Sequence, residues 1–397
     1  MSPRPLTVVG LISGTSMDGI DVAAAGFELD GDVVVLRPLG AISVPYEEGL
    51  RRRLGAALPP APVSAGEVCR LDNEVGRAFA AAALRAIGEL APEADLVASH
   101  GQTLYHWVED GHVLGSLQIG QPAWVSELTG LPVVADLRVA DIAAGGHGAP
   151  LAGLFDVLLL GGTDRTRVSL NLGGISNLTV IGPEMEAIAY DVGPANALID
   201  AAVAHVTGGA ESYDQDGAIG ARGRVNQPLL ERMLAEPYYR QLPPKTTGKE
   251  LFHLPYLLEA AAAVGEVADD DLVATATALT AVTVADACRD HGADEVIAAG
   301  GGVHNPTLMR MLSDRLAGVA LRPIDELGIP AAAKESYFIA LIGFLTVHGL
   351  PGNLPSATGA TRPVTLGALL PGRAGFVLPE AAAVGPTGLR IMGDIPV

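Results

Sequence analysis

Cysteine is scarce in this chain: Cys69 and Cys288 are the two among 397 residues, and both lie in helix-like surroundings. Two thiols make neither a disulfide framework nor a zinc site, and they suit a reducing cytoplasm. Aromatic residues make up 4%, and basic residues are outnumbered, 25 Lys and Arg against 45 Asp and Glu. That balance excludes nucleic acid and an anionic membrane surface as partners. An anionic substrate must then be held by local N–H groups, a few basic side chains or a metal. Long hydrophobic runs are missing as well. The most apolar helical stretch, 272 to 285, is threaded with Thr and bounded by Asp270, Asp271 and Asp286, which argues against a membrane span. The first apolar run, Leu6 to Ile12, ends in Ser13-Gly14-Thr15 with no small-residue cleavage pattern, so it reads as a strand and not a secretion signal. There is no low-complexity linker. No Walker loop is present either, because Gly300-Gly301-Gly302 is not followed by Gly-Lys-Ser/Thr.

What is there centres on residues 168 to 196. Two β-rich runs, 168 to 172 and 177 to 181, flank Gly173-Gly174 and predict a hairpin with bare backbone at its tip. Such a tip lets N–H groups approach an anion closely. Asp191 follows, just before a Gly-Pro breaker that places its carboxylate on a loop at a strand end. The N-terminus repeats the plan: a buried strand, Val8 to Ile12, the turn Ser13-Gly14-Thr15-Ser16-Met17-Asp18-Gly19, and a second strand from Ile20. Two such hairpins predict a duplicated half whose tips face a nucleotide's phosphates across a cleft, with Asp18 and Asp21 open to a hydrated magnesium ion. At 397 residues, two domains are the prior. The glycine-rich run 145–148 is the expected boundary or hinge, giving an N-terminal α/β domain (1–148, with 350–397 packing back on it) and a C-terminal one (149–349).

Between the hairpins, Val68, Leu71, Val75, Phe79, Ala83, Ile87 and Leu90 space out one face of a long helix. Leu96 to Ser99 is a buried strand, and His100 and Gln102 follow where it should leave the sheet, the usual ligand side of an α/β fold. A lone His there is more often a structural residue than an acid or base. Arg138, between Asp136 and Asp141 on an expected loop, either clamps an anionic sugar substituent or belongs to a surface network. Lys245 and Lys249, in a segment whose prolines exclude a helix, either steady phosphates or sit on a basic surface loop. The strand 295–299 runs into Gly300-Gly301-Gly302, on which a flat ring such as adenine can lie, and Asn305 precedes the next helix. Glu335 opens an apolar helix, where the dipole favours its charged form.

Taken together, Gly10-Leu-Ile-Ser-Gly-Thr-Ser-Met-Asp-Gly-Ile-Asp21, Ser99-His-Gly-Gln-Thr103, Gly145-Gly-His-Gly-Ala-Pro-Leu151, Asn171-Leu-Gly-Gly-Ile-Ser-Asn177, Pro243-Pro-Lys-Thr-Thr-Gly-Lys-Glu250 and Ala357-Thr-Gly-Ala360 resemble the anhydro-N-acetylmuramic acid kinase family, from about residue 8 to about 370. The resemblance implies an actin-like ATPase fold, ribonuclease H-like in each half, with two α/β domains closing over ATP. It implies ATP and Mg2+ as cofactors, a dimer, a cytoplasmic role in cell-wall recycling, and phosphorylation of O6 with opening of the 1,6-anhydro ring. Site residues expected on this basis are Ser13, Gly14, Thr15, Ser16, Met17, Asp18, Asn171, Gly173, Gly174, Gly301 and Asn305 for ATP. For the metal, Asp18 is expected to act through water. His100, Gln102, Arg138, Asp191 and Glu335 are expected at the sugar, with Asp191 as base and Glu335 as an orienting carboxylate. Two departures stand out: the family's pattern after the base is Thr-Gly-Pro-Gly-Asn, where this chain has Val192-Gly-Pro-Ala195-Asn196, and His147 replaces a Gln. A branch of the family phosphorylates levoglucosan, and an ordinary hydroxyl kinase or a nucleotide-gated binding module without a base are the other readings.

Overall fold

The structure, a computed structural model, describes residues 5–14, 16–109, 111–183, 185–243, 245–248, 250–382 and 384–393. It divides into two compact units, Met1–Leu159 with Gly328–Val397, and Leu160–Leu327.

In the first unit, Val8, Val9 and Leu11 have no exposed surface, as expected of a central strand covered on both faces. That strand is β1 (Leu6–Ser13), followed by β2 (Gly19–Asp30), β3 (Val33–Pro45), β4 (Leu96–Glu109), β5 (His112–Ile119) and β6 (Val133–Ala135). The sheet runs β3-β2-β1-β4-β6, antiparallel from β1 to β3 and parallel from β1 through β4 to β6. This is the ribonuclease H-like order. Helix Ala65–Leu90 is capped by Ser64 and buries Leu71, Val75, Phe79 and Ala83, the face its spacing predicts. Helix Lys334–Val347 is seated directly on β1. A Cβ on Gly10 would lie 2.2 Å from the Ser336 carbonyl oxygen and 2.5 Å from the Ala340 nitrogen, so glycine is required there.

The expected division at 148 and 349 therefore differs from the observed one, because burial of this helix draws residues after 328 into the first unit. The glycine-rich run is not at the boundary. Asp141, with no exposed surface, accepts hydrogen bonds from Gly148 N–H (2.8 Å), Asn353 Nδ2 (2.6 Å) and Thr358 Oγ1 (2.7 Å). Ala144 accepts from Thr361 N–H, and Thr358 accepts from His147 N–H. These bonds tie the run into the first unit. The expected loop around Arg138 is partly a short helix, Val139–Ala143, that carries Asp141. The exit of the chain at His100 is also corrected: past Gln102 the strand leaves β1 and continues by pairing with β5.

The second unit holds β7 (Arg167–Leu172), β8 (Ile175–Ile181), β9 (Ile188–Pro194), β10 (Glu295–Ala299) and β11 (Ala320–Pro323). Its order, β9-β8-β7-β10-β11, with antiparallel β7 to β9 and parallel β7, β10 and β11, repeats that of the first unit. Helix Asp269–Asp290 has the length and apolarity to cross a membrane, yet 83% of its apolar window is buried inside the protein. Leu272, Val273, Ala276, Leu279 and Val284 contribute to the second unit's core. Finally β12 (Ala368–Leu370) pairs with β6 and β13 (Gly388–Ile391) with β3, back in the first unit.

Because Asp141 satisfies three donors in a dry environment, Asp141→Ala takes the acceptor from Gly148 N–H and Thr358 Oγ1 and leaves Asn353 Nδ2 with only the Arg362 carbonyl at 3.5 Å. A loss of about 2–4 kcal/mol in the first unit's stability is expected, read as a lower urea midpoint.

Candidate functional site

In the first unit, β1, β4 and the start of helix Lys334–Val347 bring several expected residues together. His100 is 5% exposed, and its Nε2 accepts from Arg138 Nε at 2.9 Å while Nδ1 lies 3.2 Å from its neighbour's carbonyl, Gly101 O. The acceptor role at Nε2 places the proton on Nδ1, so the ring is neutral. Burial, with the Arg138 charge adding to it, pushes the imidazole down to about 3. Both ring nitrogens are used, and His100 orients Arg138 instead of offering itself to a ligand. Arg138 spends only Nε on this contact. Among the described residues no carboxylate pairs with its guanidinium, although Glu335 is near enough to influence it and burial disfavours its charge.

Glu335 lies open to solvent on its own helix but is crowded by surrounding protein. Desolvation pushes its carboxyl above the ordinary range, and the Asp21 charge adds to this against the pull of Lys334 and Arg138. The expectation that the helix start favours its charged form is thus outweighed by the neighbouring protein and the Asp21 charge. Asp21 is likewise raised, first by burial and also by its neighbour Asp18.

The turn after β1 is built from inside. Ser13 Oγ sits 2.7 Å from Gly19 O and 2.7 Å from Gln102 Oε1, and Gln102 Nε2 donates to Gly14 O at 3.3 Å. Gln102, 1% exposed, therefore braces the turn. Met17 takes a left-handed φ of 53° and packs its side chain into the core, Ser16 and Asp18 are exposed, and Asp18 pairs with Arg51. Thr15 lies outside the described residues.

In the second unit, the tip of the β7–β8 hairpin folds over a helix start. Gly173 O accepts from Asn196 N–H at 3.0 Å, and Gly174 O from the N–H groups of Ala195 (3.0 Å) and Ala197 (3.1 Å), where helix Asn196–Val206 begins. A trans peptide carries its C=O and N–H on opposite sides, so the Gly174 N–H points away from that helix. Asn196 Nδ2 secures Leu172 O at 3.0 Å. The end of β10 lies against the same tip. Gly300 has φ +84°, and a Cβ there would meet Asn171 Oδ1 at 2.4 Å. Gly301 is exposed beside it, whereas the Asn305 side chain caps helix Pro306–Leu316 by accepting from Leu308 N–H at 3.0 Å.

Asp191 is within β9, not on a loop. β9 is the edge strand, where Pro194, lacking an N–H, is tolerated. The ladder pairs Ser176 with Gly193 and Asn177 with Asp191, so Val192 is the extra residue of a bulge beside the carboxylate. Asp191 Oδ2 accepts from Thr246 Oγ1 (2.7 Å) and Thr247 N–H (3.0 Å), its N–H donates to Lys245 O (3.1 Å), and its carbonyl accepts from Tyr238 OH (2.7 Å). Thr246, Thr247 and Tyr238 are absent from the expected site. A Thr pair after prolines has no periodic signal, and only the fold brings it to Asp191.

A family model described as anhydro-N-acetylmuramic acid kinase matches residues 6–372. The chain belongs to the anhydro-N-acetylmuramic acid kinase family. Relatives carrying that name share 54% identity over 389 residues (Streptomyces coelicolor; 98% of this chain and 100% of that protein) and 58% over 385 residues (Streptomyces avermitilis; 97% and 99%). A third, from Rhodococcus erythropolis, is 51% identical over 395 residues, 97% of this chain and 99% of that one. Against the family pattern, Ala195 has φ −131° and ψ −119°, outside the helix and strand regions, and Val192 is 3% exposed in the second unit's core.

The His100–Arg138 contact has a pH signature. The unfolded ring binds a proton near its ordinary 6.5 and the folded one only near about 3, so stability is expected to fall as pH drops through that window. His100→Gln should make the unfolding midpoint less steeply dependent on pH between those limits; an unchanged slope would place the titrating group elsewhere.

Proposed function

We propose that the chain is an ATP-dependent kinase that opens the 1,6-anhydro ring of anhydro-N-acetylmuramic acid and phosphorylates O6, giving N-acetylmuramic acid 6-phosphate for cell-wall recycling. The observation that carries the mechanism is Asp191, a carboxylate oriented through Oδ2 by Thr246 and Thr247. In a 1,6-anhydro sugar O6 is bonded to C1 and has no proton for a base to remove. Asp191 instead takes a proton from water as its oxygen bonds to C1. The C1–O6 pair passes to O6, which bonds to the γ-phosphorus as the β–γ bridging oxygen leaves with ADP.

The backbone of the two hairpins and the 300–302 run serve the nucleotide in this reading. Gln102 and Asn305 brace that framework from within. Asp18 and Asp21 lie close enough for one charge to raise the other's pKa, which suits a hydrated divalent cation. Asp18 and Asp21 would hold magnesium through water, and the ion would supply positive charge to neutralise the triphosphate. A homodimer in the cytoplasm completes the reading.

General-base catalysis contributes about 10²–10⁴ in rate, so Asp191→Asn should lose that much turnover and still bind ATP. Water attacking opposite the β-side bridge must deliver the α-anomer first, and rapid proton NMR showing the β-anomer first, or an intact anhydro ring in the product, would sink the assignment. For Arg138, whose remaining guanidinium donors have no carboxylate partner among the described residues, the expected ligand is the lactyl carboxylate. Arg138→Ala should cost roughly 1.5–3 kcal/mol in kcat/KM for the acid-bearing sugar and far less for levoglucosan; equal losses would make Arg138 structural.

A further inference from the structure

Lys245 stands in the segment expected either to steady phosphates or to form a basic surface loop, but its ammonium is turned inward. Nζ lies 3.3 Å from Tyr238 O and 3.4 Å from Tyr239 O, 4.7 Å from the centre of the Tyr238 ring and 5.6 Å from that of Tyr190. Two carbonyls and two aromatic faces form a cage for a cation, and such a cage is strongest where water is partly excluded. Tyr238 is itself stacked edge-on against Phe252 and Tyr239, so the walls are held by packing. The lysine's own carbonyl accepts from the Asp191 N–H, and the next two residues supply both hydrogen bonds to Asp191 Oδ2. Among the described residues Asp191 Oδ1 accepts no hydrogen bond. The caged cation and the base are thus joined by one to two residues of backbone, and the Tyr238 hydroxyl closes the loop onto the Asp191 carbonyl.

We propose that Lys245 is a positioning residue: its caged ammonium fixes the 245–247 backbone so that Thr246 and Thr247 occupy Oδ2 of Asp191, leaving Oδ1 as the oxygen that takes the proton. This rests on the reading of Asp191 as the base. The arrangement distinguishes the two oxygens of one carboxylate. Oδ2 is spent on orientation and Oδ1 is aimed, with the carboxylate plane set by two donors on one side. A displacement of the loop rotates that plane and misdirects the lone pair, to which proton transfer is sensitive.

Steady-state kinetics on the full chain with ATP, magnesium and anhydro-N-acetylmuramic acid test this. Lys245→Met keeps the apolar stem and removes the cation; kcat should fall roughly ten- to hundredfold while KM for ATP stays within about twofold. Thr246→Val, at an exposed position, keeps the test open if Lys245→Met does not fold. It should lower kcat less than Lys245→Met does, again with KM for ATP within about twofold, since one of the two donors that orient Oδ2 is lost. In an Asp191→Asn background neither substitution should cost much more, because both act through the same group. A raised KM for ATP with kcat preserved would make Lys245 a phosphate contact and overturn the proposal. Losses that multiply with Asp191→Asn would also overturn it. Near-normal turnover by Asp191→Asn alone would remove the base itself; an inactive Asp191→Asn with normal Lys245→Met and Thr246→Val would remove only the positioning role.

Discussion

Backbone laid directly on backbone at the first strand of each sheet is the constraint on which the rest of the structure depends. In the first unit the missing Cβ of Gly10 lets helix Lys334–Val347 rest on β1, with Ser336 O and Ala340 N at the contact. Glu335 is one residue from that contact, so its place near Asp21 and Arg138 follows from the seating and not from any bond of its own. In the second unit Gly300 lets the end of β10 meet Asn171 and Leu172, while Leu172 O is secured by Asn196. A side chain at Gly10 or Gly300 displaces an element that carries site residues, which is a larger effect than the lost space.

Charge is managed in the same economical way. The net charge is −20, yet an anionic ligand has to be accepted. Around Arg138, among the described residues, no carboxylate pairs with the guanidinium. A neutral imidazole uses one of its donors, and burial keeps that imidazole neutral. Around Asp191, Thr246 and Thr247 donate to one carboxylate oxygen. The nearby ammonium of Lys245 is taken up by two carbonyls and the Tyr238 ring, and not by that carboxylate.

The amino-acid sequence by itself determined the elements whose signals are local. The two Gly-tipped hairpins, helix Ala65–Leu90, the strands 133–135 and 295–299 and the Gly300 turn were all legible, because hydrophobic period and turn chemistry act over a few residues. The resemblance pointed to Asp191, while Arg138 and Glu335 were singled out by their places between two Asp and at a helix start. Tertiary structure alone decided what each polar side chain spends its hydrogen bonds on. His100 and Gln102 sit in one motif, yet one orients Arg138 and the other braces the β1 turn, through partners 38 and 88 residues away. Asp141 reads like Asp136 in sequence, but it is buried by Gly148, Asn353 and Thr358, the last of them 217 residues away. Thr246 lies in one of the quoted motifs, but nothing in that motif says that it reaches Asp191 across 55 residues. A hydrogen bond forms between groups that the packed backbone brings within about 3 Å, and no period or spacing along the chain encodes that meeting.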